Sequence, residues 1–117
     1  MKKLDCINKM LLVAGEPILA DLQSVPKNAL EAIALLNTVF AAFMTETKWA
    51  FEASKYEELP DLARSYVALE CESQYAEIRN RAPGRLALGK LARLRMDLER
   101  EYEVREITSL RDENWAE

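Results

Sequence analysis

At 117 residues the chain is sized for one domain with one modest core, and its hydrophobic half excludes wholesale disorder. It has no histidine, which removes the commonest general base, metal ligand and physiological pH switch together. Its net charge of −4 gives no global pull toward nucleic acid.

Three glycines and four prolines leave room for a few long helices and no run of hairpins. The two thiols, Cys6 and Cys71, are far apart in sequence and are expected to stay reduced in a cytoplasm. The opening MKKLDCINKMLLVAG has too short an apolar run for a signal peptide, since Asp5, Asn8 and Lys9 break it. Nothing approaches the ~20 apolar residues of a membrane span.

Taken in order, the first helix is predicted over Lys3 to Ala14, with Leu4, Ile7, Leu11 and Leu12 on one face and Gly15 as its C-terminal cap. Pro17 and Pro26 exclude regular helix between them, and Ile18, Leu19 and Leu22 should lay that connection against the core. The central helix is predicted over Asn28 to Thr47, and the rest of the chain is read as organised around it. One stripe holds Ile33, Leu36, Phe40 and Phe43, and a second holds Ala32, Leu35, Val39 and Ala42. A helix apolar on two sides serves either as the middle of a monomer core or as a link between its own domain and a neighbouring subunit. Asn28 and Glu31 have the spacing of a capping box.

Trp49 and Phe51 follow as an aromatic anchor, read first as a plug for one end of the core. Residues 52–59 read as a polar connection. Pro60 then opens a third helix that runs to about Asn80, with Asp61 favouring its N-terminus. After the break at Ala82-Pro83-Gly84, a long fourth helix is predicted from Arg85 to Ile107, with Leu91, Leu94, Leu98 and Tyr102 as its seam and Ala87 and Leu88 before them. Residues 1–107 thus form one helical domain, and 108–117 a tail ordered only by a partner.

The fourth helix is basic first and acidic later: Arg85, Lys90, Arg93 and Arg95 precede Asp97, Glu99, Glu101, Glu103 and Glu106. That order opposes the helix dipole at up to ~1 kcal/mol per exposed site. It suits a head-to-tail contact between subunits, a phosphate-facing surface along Arg79–Arg95, or a plain solvated face. No Gly-rich phosphate loop, Cys-x-x-Cys, nucleophile elbow or calcium loop occurs, and Glu70 and Glu77, two turns apart, lack the histidines of a di-iron bundle. Neither enzyme activity nor a cofactor or metal is expected.

The order of pieces carries a resemblance. Ile7-Asn8-x-Met10-Leu11 leads to Gly15-Glu16-Pro17. An Ala/Leu-rich helix closes on Trp49-x-Phe51, and LPDLARSYVALECESQYAEIRNRAP (59–83) precedes a long charged helix. This resembles the tail tubular protein A family, the head-to-tail adaptors of short-tailed bacteriophages, over roughly residues 4–106. Where that family carries a partly stranded insertion after the W-x-F, only residues 52–59 stand here, so the chain looks like a minimal form.

The resemblance implies an all-α, four-helix adaptor with a long C-terminal helix. It implies a dodecameric ring bound to the portal protein above and a downstream tail or nozzle protein below, with DNA passing through unspecifically. It places the protein in the neck or tail of a virion, and in the host cytoplasm during assembly, with no membrane. For subunit contacts the sequence nominates Phe40, Phe43, Arg93, Arg95, Glu99 and Glu103, for portal binding Trp115, and for anchoring Trp49 and Phe51. The alternative function is a small helical nucleic-acid-binding regulator using Arg79–Arg95.

Overall fold

The computed structural model describes residues 2–46, 49–79 and 85–103, with Arg85 and Leu86 described by backbone alone. The fold is all-α: α1 (Lys3–Val13), α2 (Lys27–Met44), α3 (Asp61–Ile78) and α4 (Arg85–Tyr102), with a 3-10 turn at Tyr56–Glu58 before α3. No helix among the described residues is long and apolar enough to cross a membrane.

The turn after α1 forms as its glycine dictates. Gly15 sits at φ 72°, a region open to glycine at little cost. The Gly15 amide donates to the Leu12 carbonyl at 3.0 Å and the Glu16 amide to Leu11 at 2.8 Å, so the last carbonyls of α1 are satisfied. Asn8 then clamps the returning loop. Its Nδ2 donates to the Leu19 carbonyl at 2.9 Å, and its Oδ1 accepts from the Leu19 amide at 2.8 Å. Leu19 and Leu22 pack against the core as expected, whereas Leu12 (67 %) and Ile18 (57 %) face outward.

The organising element is α3, not α2. It packs against all three other helices, while α4 rests chiefly on α3. Small buried residues on several sides (Ala63, Ala68, Cys71, Ser73, Ala76) let three neighbours approach, with Val67 and Tyr75 filling between them. Both thiols, Cys6 on α1 and Cys71 on α3, are free and fully buried, and the Cys71 thiol is pushed up by its Cys6 neighbour and by burial.

On α2 one face is buried: Ala29, Ala32, Leu36, Val39 and Phe43. Ile33, Leu35 and Phe40 pack partly against the core, and Ala42 is exposed. The helix starts at Lys27, and no side chain caps it. The Asn28–Glu31 capping box does not form, because both side chains are drawn to Glu16 and Arg79.

The connection of residues 52–59 is only half polar. Glu58 accepts from the Ser54 amide at 2.8 Å and hydroxyl at 3.0 Å, but Tyr56 and Leu59 are core residues. The predicted long C-terminal helix is not seen: α2, α3 and α4 each have 18 residues. At the end of α4 the Ala50 amide donates to the Tyr102 carbonyl at 2.6 Å, and Glu103 forms an isolated antiparallel bridge with Trp49. Residues 104–107 and the tail lie outside the described residues.

Candidate interaction surface

Two polar-aromatic joints decide which groups remain for a partner. The first closes the end of α2. Trp49 stacks on Phe43 at 4.9 Å between ring centres, and its Nε1 donates to the Phe43 carbonyl at 3.1 Å. Phe51 lies 6.0 Å from Trp49 and meets the Tyr102 ring edge-on at 5.3 Å. Trp49 is buried and Phe51 half-buried, so the pair plugs the core as the sequence suggests. Arg95 covers the pile, its guanidinium 5.2 Å from the Trp49 ring and 5.5 Å from Tyr66. Arg95 is held by both oxygens of Glu46 and by Glu99 at 3.2 Å. Such a fork-to-carboxylate contact fixes the guanidinium in place.

The second joint lies at the other end of α2. Glu16, delivered by the Gly15 turn, accepts from the Tyr75 hydroxyl at 2.6 Å and from Arg79 Nε at 2.8 Å. Arg79 also bonds Glu31 and donates to the Tyr75 hydroxyl at 2.9 Å. These groups tie the α1–α2 loop and α2 to the C-terminal turn of α3. The Tyr75 hydroxyl and then Arg79 hold the Glu16 carboxyl below its usual value near 4.5. Burial and Glu16 push the Tyr75 phenol up to about 12.

The sign of the pH effect follows. Glu16 is more acidic folded than unfolded, so its contribution is complete above its unfolded value and is lost as pH falls through the lower folded value. Urea unfolding repeated across the acid range should show a shallower loss of stability for Glu16→Gln than for the unmodified chain. Superimposable acid limbs would remove Glu16 from the joint.

These joints sort the residues nominated from sequence. Phe43 is 3 % exposed and inside the chain's own core, so no neighbour can reach it without unfolding that end of α2. Phe40 is half-buried against the same core. Arg95 and Glu99 pair with each other within the chain, and Glu103 joins the backbone bridge to Trp49. Arg93 alone of the six is fully outward, exposed and without an ion pair among the described residues. Trp115 lies outside the described residues.

Sequence reasoning missed Glu16, Glu46, Tyr66 and Tyr75. Glu16 had a signal in the glycine before it, and Glu46 in being the first charge after Glu31. Of the basic stretch, Arg79 and Arg95 are spent on carboxylates, which leaves Lys90 and Arg93 exposed among the residues whose side chains are described.

Part of what remains outward is apolar or uncharged. Leu30 (53 %), Leu88 (51 %) and Met96 (61 %) are exposed. The exposed side of α2 from Ala34 through Asn37, Thr38, Ala41 and Ala42 to Thr45 carries no charge. Among the described residues no group of three or more potential ligands is placed to hold a metal ion. No family model, curated protein or solved structure matches this chain.

Proposed function

We propose that the chain is a structural virion protein, a minimal head-to-tail adaptor. Copies assemble as a ring beneath the portal, offer a platform to the tail, and let DNA pass through the lumen. The observation that carries this reading is the outer side of α2, uncharged from Ala34 to Thr45 and bordered by exposed Leu30. A solvated helix face normally carries charge, and contiguous uncharged surface marks contact with a partner. The motifs behind the resemblance support it as well. Gly15-Glu16 forms a turn that ties α1 to α3, and Trp49-x-Phe51 plugs the core.

The alternative, a nucleic-acid-binding regulator, is less well supported, because Arg79 and Arg95 already neutralise carboxylates. Mixing the purified protein with portal particles decides between them. Electron microscopy should show a ring of added density at the portal, and the free protein should bind DNA weakly at every salt concentration. Absence of added density, or tight DNA binding that falls steeply with salt, overturns the adaptor reading.

A further inference from the structure

The groove between α2 and α3 contains a carboxylate that no cation among the described residues neutralises. It is lined by Thr38, Val39, Ala42, Glu46, Tyr66 and Glu70, among others, with a volume of about 170 Å³. Glu46 is satisfied by Arg95. Half-buried Glu70 accepts from the neutral Gln74 Nε2 at 3.1 Å. It has no ion pair among the described residues.

The complementary group is on the outer side of α4. Residues two apart on a helix project roughly 160–200° from each other. So Arg95 reaches back to Glu46 and Tyr66 while Arg93 points away. Beside Arg93 on that side are exposed Met96, one turn on, and Gly89 and Ala92. A side chain added at Gly89 would meet nothing within 4 Å, so packing within one chain gives no reason for glycine there. A glycine inside a helix costs about 1 kcal/mol relative to alanine, and a small residue lets a second backbone come close.

We propose that the outer side of α4 from a second copy docks in this groove, with its Arg93 against Glu70 and its Met96 over Thr38 and Ala42. Charge favours this occupant: among the described residues Glu70 in the groove has no ion pair, and exposed Arg93 on α4 of the same sequence has none either. The groove matches one unbranched side chain, since cavities of about 150 Å³ admit groups the size of benzene. Methionine adapts to irregular gaps of this kind. Because groove and α4 surface are different faces, each docked pair still offers a free groove on one copy and a free α4 on the other. The contact is heterologous and extends until rotation closes it. This deepens the assembly reading above and rests on it for its biological setting only.

Sedimentation velocity over a concentration series tests it. The unmodified chain should gain mass with concentration. Arg93→Glu and Glu70→Arg should each weaken association at least tenfold. The double swap E70R/R93E should restore it, because the base then lies in the groove and the acid on α4, and the pair is opposite in sign again. Met96→Asp, at an exposed position, should weaken association equally while thermal unfolding stays unchanged. A chain that stays monomeric throughout, single variants that associate normally, or a double swap no better than either single overturns the contact. The portal-mixing experiment stands apart from this one: a ring formed by copies carrying R93E would retain the adaptor role and reject this surface.

Discussion

Replacing Trp49 with alanine should cost about 3–5 kcal/mol, the range for removing a large aromatic from a core. Against a total of roughly 5–15 kcal/mol for a small domain, that leaves a chain unfolded in part at physiological temperature. The cost has three sources. The indole leaves a void against Phe43, whose ring it covers at 4.9 Å, and against Phe51 at 6.0 Å. The Phe43 carbonyl loses its Nε1–H donor. Arg95 loses an aromatic face, although Glu46 and Glu99 still hold it. A Trp49→Phe variant retains the stacking and loses chiefly the hydrogen bond, so its cost should be nearer 1 kcal/mol, to within a factor of about two. Urea unfolding followed by circular dichroism measures both. A loss below about 1 kcal/mol for the alanine variant would mean that the aromatic pile does not close the core.

The parts of the fold visible in the sequence are those set by neighbours along the chain. The Gly15 turn depends on one residue without a side chain, and the helical periods of α1 to α4 depend on spacing alone. Residues whose partners are far away in sequence mislead. Asn28 and Glu31 have the spacing to cap a helix locally, yet Glu16 and Arg79 claim them. Residues 52–59 look polar because their charges outnumber Tyr56 and Leu59, which face inward with half-buried Ala53 beside them.

The role of α3 is hidden for a related reason. Alanine, serine and cysteine around a helix give little apolar signal, although they are what admits three neighbours. The richer apolar sequence of α2 marks a helix with one face in the core and an outer side that the other described residues leave exposed. At the candidate surface, Arg93 is visible from sequence as a base on the fourth helix. Glu70 is visible only as a carboxylate, since its lack of a cation among the described residues depends on Arg95 having been captured by Glu46.

Leu98→Ala should free α4 before anything else. Leu98 is the one fully buried side chain in the described part of that helix, and Leu91, Leu94 and Tyr102 are only half-buried. Truncating it should cost about 2–4 kcal/mol. Because α4 rests chiefly on α3, the loss falls on an opening that leaves α1, α2 and α3 together. Amide exchange along Leu91–Leu98 should therefore speed up by roughly 30- to 1000-fold, the free-energy range converted at 1.4 kcal/mol per decade, while the α1 and α3 cores keep their slow exchange. The Arg95–Glu46 pair and the backbone bond from Ala50 to Tyr102 hold the C-terminal end, so opening should begin at the N-terminal half of α4. Met96→Ala is the matched control. Met96 faces outward two residues away, and its truncation should leave exchange within about twofold of normal. Uniform acceleration across all four helices in Leu98→Ala would show instead that α4 unfolds only with the whole domain. In that case an α4 docked in a neighbour's groove would stabilise every helix of its own chain, and not α4 alone.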